Sequence, residues 1–342
     1  MNYTNNHERF IHKGRTFLTS IAYGDAAGLP VETRSAEYIA EHYGVINHLV
    51  GSSENPFYVG KYEPGLWSDD TQLSIAVASG LIDTDGFDLD AQANRHVIAY
   101  DSTPEMERRG ITVKRGWGGS TTAAMEKLKQ GIRPEASGTK DGSGNGVLMK
   151  MAPLSYWQAV HGDSDEERYE QFDQLTTMTH DSDIARLTTR LHGDVLDSLI
   201  NEGYDRERFT DTIFTSIGRH ALALGLSEKE YHDVFSYLTG TVDKQTILAN
   251  TDKKGFFAPQ TLAMAYGAFV AHDADGVPSM YEAVNLGGDT DSTASIIGAM
   301  AVFATKNPVA LPIDHQNLDQ LDMIKEIGFQ FTEYAHGNVN AS

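Results

Sequence analysis

The chain has 342 residues, 40% of them apolar, with 48 Asp and Glu against 27 Lys and Arg and a formal net charge of −21. An acidic balance of that size repels nucleic acid and anionic membrane surfaces, so neither is expected as a partner; it suits metal ions, cationic side chains or plain solubility. There is no cysteine, which excludes disulfides, thiolate zinc sites and cysteine nucleophiles.

The opening stretch, MNYTNNHERFIHKGRTF, has no apolar signal region, and no apolar run approaches a membrane span, so a cytoplasmic location is expected. Residues 9–26 place Phe10, Phe17 and Ile21 at helical spacing and predict a helix that breaks at the Gly24–Asp25 step. A Gly-rich connection follows at 51–66. Residues 71–82, TQLSIAVASGLI, and 292–304, STASIIGAMAVFA, are small or apolar nearly all the way round, as in helices buried on every side. Residues 120–131 run from a Ser-Thr start to a Gly stop, and 183–203 and 259–274 have the same helical pattern. Strand patterns are scarce: FYVG (57–60) and HVIAY (96–100) are the candidates. A second Gly-rich connection spans 131–146, and loops of this kind tend to be functional. No repeat or boundary is visible. The expected fold is all-α, one compact multi-helix domain over 1–342.

Both buried-looking helices are preceded by acids: WSDDTQLS (67–74) and NLGGDTDS (285–292). Acids and hydroxyls at a helix start have an ordinary explanation, because they accept hydrogen bonds from the first free N–H groups and suit the helix dipole. Each cluster, however, holds more acid than one cap needs, namely Ser68, Asp69 and Asp70 in one and Asp289, Asp291 and Ser292 in the other. The helices behind them look central, and the neighbouring sequence has no Lys or Arg to neutralise buried carboxylates. Divalent cations would. Oxygen-only donors favour Mg²⁺ or Mn²⁺ over zinc, and four carboxylates balance two dications. An EF-hand is excluded, since counting from Asp289 puts Ala294 and Met300 where Gly and Glu are required; 83–90 fails likewise at Asp88. A two-metal site lowers the pKa of a water and orients an oxygen-rich substrate, which suits phosphoester or glycosidic hydrolysis alike.

With GDAAGLPVE (24–32), GWGGST (116–121), GNGVLMKMAPL (144–154) and TH (179–180), the two acidic pieces form six motifs in fixed order. In that order the chain resembles the ADP-ribosylglycohydrolases. The resemblance implies an all-α domain with a two-metal centre at the base of a cleft. Ser68, Asp69 and Asp70 would supply one ligand set and Asp289, Asp291 and Ser292 the other, with Asp291 bridging. The family's usual Thr is Ser at position 68, and its frequent Thr is Ser at 292; the hydroxyl oxygen survives both changes. Glu32 would lie on a loop over the cleft near the ribose, as base or as substrate clamp, and Asp69 or Asp70 is the other candidate for the base. Asp25 reads as a cap or supporting group.

The same resemblance makes Gly118, Ser120, Gly144, Asn145, Gly146, Met149, His180, Gly287 and Gly288 substrate contacts. Gly-rich backbone and a helix start suit pyrophosphate or ribose oxygens. Where the family generally carries Arg, this chain has Lys150, which keeps charge but loses bidentate geometry. Trp117 is read as core or lid, and His192, His220 and His272 as structural or surface groups. The implied activity is metal-dependent hydrolysis of the glycosidic bond between ADP-ribose and an acceptor, a modified arginine first among them. Readings from other classes are a non-catalytic ADP-ribose-binding or crystallin-like relative, and a two-metal nucleotide phosphohydrolase.

Overall fold

In the computed structural model, residues 3–52, 62–108, 111–236, 238, 244–251, 254–305 and 309–337 are described. Four helices come first: α1 (Tyr3–Gly28), α2 (Ala36–His42), α3 (Asp69–Thr84) and α4 (Leu89–Ser102). A short hairpin of β1 (Glu105–Arg108) and β2 (Ile111–Lys114) leads to α5 (Gly119–Lys129). Two-residue strands β3 (Thr139–Lys140) and β4 (His180–Asp181) pair in parallel on either side of α6 (Met151–His161) and α7 (Asp165–Thr177). The rest is helical: α8 (Asp183–Glu202), α9 (Arg206–Ala223), α10 (Glu228–Val234), α11 (Lys244–Asn250), α12 (Ala258–Ala271), α13 (Gly276–Leu286), α14 (Thr290–Ala304) and α15 (Leu321–Gly337). The fold is all-α, as the helical periodicity predicts. No helix among the described residues is long and apolar enough to cross a membrane.

One buried cluster draws side chains from α1 through α15. Its axis is α14, in which every residue is buried. Helix α1 lies directly on it. A Cβ on Gly24 would stand 2.2 Å from the Ala294 carbonyl oxygen, and one on Gly28 would stand 2.3 Å from the Asp291 amide nitrogen. Only glycine permits such backbone contact. Helix α1 therefore continues through Gly24 and Asp25 without the expected break: the glycine serves the neighbouring helix rather than a local stop.

Lys13 ties this pair to α8. Its Nζ, buried, donates to the carbonyls of Leu199 and Ile200 near the end of α8 and to that of Phe303 near the end of α14, at 3.3, 2.9 and 2.6 Å. The last carbonyls of a helix are short of intrahelical partners, and a cation is their natural complement; that of Leu199 also receives the capping amide of Gly203 at 3.0 Å.

Two further expectations change. HVIAY lies inside α4, where Ala93, His96, Ala99 and Tyr100 fall on one buried face at helical spacing. FYVG lies outside the described residues. Helix α3 is buried less completely than α14, since Gln72, Ile75, Ser79 and Ile82 are half-exposed.

Replacing Lys13 by Met would remove three charge-assisted hydrogen bonds while keeping most of the side-chain volume. The expected cost is roughly 3 kcal/mol, read as a lower urea midpoint at unchanged m-value.

Candidate active site and metal centre

Ordinary capping does not explain the acids. Ser68 caps α3, its Oγ lying 3.3 Å from the Asp70 amide nitrogen, while Asp289, at the cap position of α14, makes no side-chain cap bond. The carboxylates face each other instead. Asp70 is the meeting point: Ser68 Oγ donates to its Oδ2 at 3.1 Å, Ser292 Oγ to the same oxygen at 3.3 Å, and Ser295 Oγ to Oδ1 at 2.8 Å. Donors from helix starts more than two hundred residues apart thus converge on one side chain. Carboxylate oxygens of Asp25, Asp70 and Asp291 lie within 4.8 Å of one another, as do those of Glu32, Asp289 and Asp291. Asp291 belongs to both groups.

Asp25 supports this arrangement from α1. Its carboxylate accepts from the amides of Ser68 and Thr71 at 2.9 and 3.0 Å and from Thr71 Oγ1 at 2.6 Å, fixing the first turn of α3. Glu32 follows a 3-10 turn, Leu29–Val31. The next residue, Thr33, holds φ at +67°, strained for a β-branched side chain, and its amide donates to the Gly288 carbonyl at 2.6 Å.

Asp69, Asp70, Asp289 and Asp291 are all 5% exposed or less. Burial raises the pKa of each, first by desolvation. Asp69 is pushed up to about 8 by burial and then by Asp25 and Asp289; Asp70 is raised well above the usual range by burial, Asp25 and Asp69. Asp291 is raised by burial, then by Glu32 and Asp289. Among the described residues no ion pair relieves these four acids. The sequence reading found no cation nearby, but the fold brings one: Arg115, just before GWGGST, pulls Asp69 the other way.

This donor set fits divalent cations. It consists of oxygens only, carries surplus negative charge, and is held on helix starts by a supporting carboxylate.

The acids floor a cleft of about 280 Å³. Its lining includes Glu32, Asp69, Asp70, Asp289, Asp291, Ser292, Gly118, Ser120, Gly144, Asn145, Gly146, Met149 and His180. Helix α5 begins at Gly119 without a side-chain cap, so its first N–H groups are at the cleft wall. Asn145 Nδ2 donates to Asp289 Oδ2 at 2.7 Å and to the Gly255 carbonyl at 3.1 Å, pinning the 144–146 segment to the acidic floor. Trp117 is core: it is buried against Tyr100, ring centroids 5.0 Å apart, and is also among the residues that line the cleft.

Ser68, a predicted ligand, is buried with its Oγ on Asp70 Oδ2. Two predicted substrate contacts are placed differently. Gly287 and Gly288 lie behind the Glu32 loop; a Cβ on Gly287 would stand 2.5 Å from the Arg34 carbonyl oxygen, and the Gly288 amide donates to that carbonyl at 2.8 Å. They brace the loop rather than line the cleft. Sequence reasoning missed Thr33, Gly116, Thr121 and Phe256 in the lining and Ser295 beneath it. Gly116 had a signal in its glycine: a Cβ there would stand 2.2 Å from Asp69 Oδ1. A larger groove of about 660 Å³ along α8 and α9 also carries acids, but its buried Asp194 is already bonded by His220, Arg219 and Tyr169.

The raised pKa values set a sign for stability. A carboxyl whose native pKa exceeds its unfolded value of about 4 binds more protons folded than unfolded between the two, so stability falls as pH rises through that window. For Asp69 the window ends at about 8. Metal-free protein should therefore lose melting temperature from about pH 5 to about pH 8, and the rise produced by Mg²⁺ or Mn²⁺ should widen over the same range. A rise independent of pH would place the bound cation elsewhere.

The ADP-ribosylglycohydrolase family model matches residues 6–305. A protein of Archaeoglobus fulgidus with no characterised function is 27% identical, covering 84% of this chain and 86% of its own. The ADP-ribosylarginine hydrolase Tri1 of Serratia proteamaculans is 24% identical over 85% of this chain and 71% of its own, and ADP-ribosylhydrolase ARH3 of Danio rerio is 24% identical over 69% and 68%. Among solved structures, an ADP-ribosylglycohydrolase-related protein complex superposes with a TM-score of 0.71 at 20% identity, over 96% of this chain and 99% of that one, a likeness of fold. With the match spanning both acidic helix starts and the cleft between them, this chain belongs to the ADP-ribosylglycohydrolase family.

Proposed function

We propose that the chain, acting as one domain over its 342 residues, cleaves the glycosidic bond between ADP-ribose and an acceptor and releases ADP-ribose, using two divalent cations, Mg²⁺ or Mn²⁺. A modified arginine side chain is the first acceptor to test. The observation that carries this reading is the convergence of two remote acidic helix starts on Asp70 and Asp291, at the floor of a cleft with Glu32 beside them. Two relatives are named ADP-ribosylarginine hydrolases, which supports arginine, as does the acidic surface of the chain.

Asp69, Asp70, Asp289 and Asp291, with the hydroxyls of Ser68 and Ser292, would hold the cations. Such cations would offset the carboxylate charge and supply a site for the vicinal hydroxyls of the sugar next to the scissile bond. Glu32 accepts the proton of the attacking water at its carboxylate as the water oxygen joins the anomeric carbon. The bond from that carbon to the acceptor breaks, and the proton passes to the leaving nitrogen. Charge of oxocarbenium character at the sugar is stabilised by the surrounding carboxylates. A carboxylate gripped by a cation is a weak base, which favours Glu32 over Asp69 and Asp70 provided that Asp289 and Asp291, rather than Glu32 beside them, hold the nearby cation. The uncapped start of α5 at Gly118 and Ser120, the Gly144–Gly146 segment, Met149 and His180 would bind the remainder of the substrate.

The test is release of ADP-ribose from arginine- and serine-modified proteins, with Mg²⁺ or Mn²⁺ and with chelator. Chelator and Asp291→Asn should each abolish release, and Glu32→Gln should lower kcat by about 10²- to 10⁴-fold with KM little changed. Tight ADP-ribose binding without release would make the chain a binding protein. Phosphate or AMP as product would make it a phosphohydrolase.

A further inference from the structure

Below the cleft wall lies a lysine without a counter-ion. Lys150 is fully buried at the start of α6, and among the described residues no carboxylate pairs with it. Its Nζ has two neutral partners, each at 3.3 Å: Nε2 of His96 from α4 and Oγ1 of Thr179 beside β4. The roles at His96 are fixed. Its Nδ1 lies 2.7 Å from the Gln92 carbonyl, which can only accept, so Nδ1 carries the proton and Nε2 offers its lone pair to Lys150.

Thr179 passes the polarity on. Its Oγ1 takes an N–H from Lys150, and the hydroxyl proton then has two possible acceptors, Nδ1 of His180 at 2.9 Å and the Thr176 carbonyl at 3.4 Å. That carbonyl already receives the Thr179 amide at 3.1 Å. The shorter, unshared acceptor wins, and a positive charge behind the hydroxyl attracts the lone pair of the ring and repels an N–H. His180 Nε2 then bears the ring proton, on the side of the cleft: a Cβ on Gly144 would stand 3.4 Å from it.

We propose that Lys150 is a positioning residue for His180: its ammonium, acting through the Thr179 hydroxyl, holds the imidazole as the tautomer that presents an Nε2–H donor to a ribose or phosphate oxygen of the substrate. The part of this that concerns substrate rests on the hydrolase reading above. Two facts about ionisation agree with it. Burial and the Lys150 charge lower the His180 pKa to about 3, so the ring is neutral, and burial lowers that of Lys150 to about 7. The ionisable groups facing Lys150 are His96 from α4 and His180 from β4, and the Lys150 charge lowers the pKa of both. As pH rises through about 7, Lys150 sheds its proton and its hold on the tautomer weakens.

The experiment uses the full chain labelled with ¹⁵N-histidine, with His180→Gln to assign the ring and long-range ¹H–¹⁵N spectra to read the tautomer. Below about pH 7 the native protein should show the Nε2–H form, with the alternative appearing as pH rises. Lys150→Arg, which keeps its charge, should hold Nε2–H throughout. Lys150→Met and Thr179→Val should each yield a mixture at every pH, and thermal melts identify any variant that does not fold. In turnover, Lys150→Met should raise KM about tenfold, the size of one lost hydrogen bond, with kcat largely kept. A tautomer unchanged in all three variants, or Nδ1–H in the native protein below pH 7, would overturn the proposal. A tautomer that follows Lys150 in a chain that releases no ADP-ribose upholds the coupling and removes only the hydrolase reading.

Discussion

The contact on which the site depends is the backbone approach of α1 to α14. Glycines at 24 and 28 let these helices touch where any side chain would collide with main-chain atoms. Because of that approach, Asp25 on α1 reaches the start of α3, and Asp291 on α14 comes within ligand distance of Asp70. Moving α14 outward by the width of a methyl group would separate the two acidic starts. Packing density far from any substrate thus fixes the geometry of the acids, since packed interiors do not deform continuously.

The same closeness has an electrostatic cost. Four carboxylates are buried in mutual repulsion, and each resists ionisation because charge there is poorly solvated. Hydroxyl donors from Ser68, Ser292 and Ser295 offset part of this at Asp70, and Asn145 does so at Asp289. They cannot supply a net positive charge. A cation bound to the folded chain would, and its affinity is then linked to folding, because unfolded carboxylates are already solvated and gain less from it. Lys13 and Lys150 are buried cations handled in two further ways. Lys13 is spent on helix-end carbonyls, where the dipoles are negative. Among the described residues Lys150 has only a histidine and a hydroxyl, a setting in which a lysine gives up its proton near neutral pH.

Legibility followed the range of the interactions. Helices α8 and α12 are readable because their patterns run over many turns, and the acidic starts stand out because hydroxyls and acids adjoin a helix that is small or apolar nearly all the way round. The expected break at Gly24–Asp25 did not occur because that glycine answers to α14, some 270 positions later in number. HVIAY looked like a strand over five residues, yet its burial is set by a helix face that begins at Gln92. The support given by Asp25 to Ser68 and Thr71, and the approach of Arg115 to Asp69, depend on chain crossings that no local pattern encodes. Gly287 and Gly288 were recognisable as motif residues, but their bracing of the Glu32 loop was not.

Floor and wall are built from different materials, and this has a consequence for how the cleft can work. The floor acids stand on first turns of α3 and α14, anchored by Asp25 and by glycine contacts, so their positions are set before substrate arrives. The wall consists of the strained Thr33 turn, the Gly144–Gly146 segment and the start of α5. Backbone turns such as that at Thr33 adapt at lower cost than buried helices, although Asn145 ties its own segment to Asp289 and the Gly255 carbonyl. Reaction geometry at the scissile bond can therefore be held constant while recognition of the rest of the substrate varies with the wall. His180 is the exception among the wall residues: it is nearly fully buried, and its Nδ1 is tied to Thr179, which Lys150 also bonds. That ties one wall contact to the core, and makes its hydrogen-bonding polarity a property of the packed interior rather than of the bound molecule.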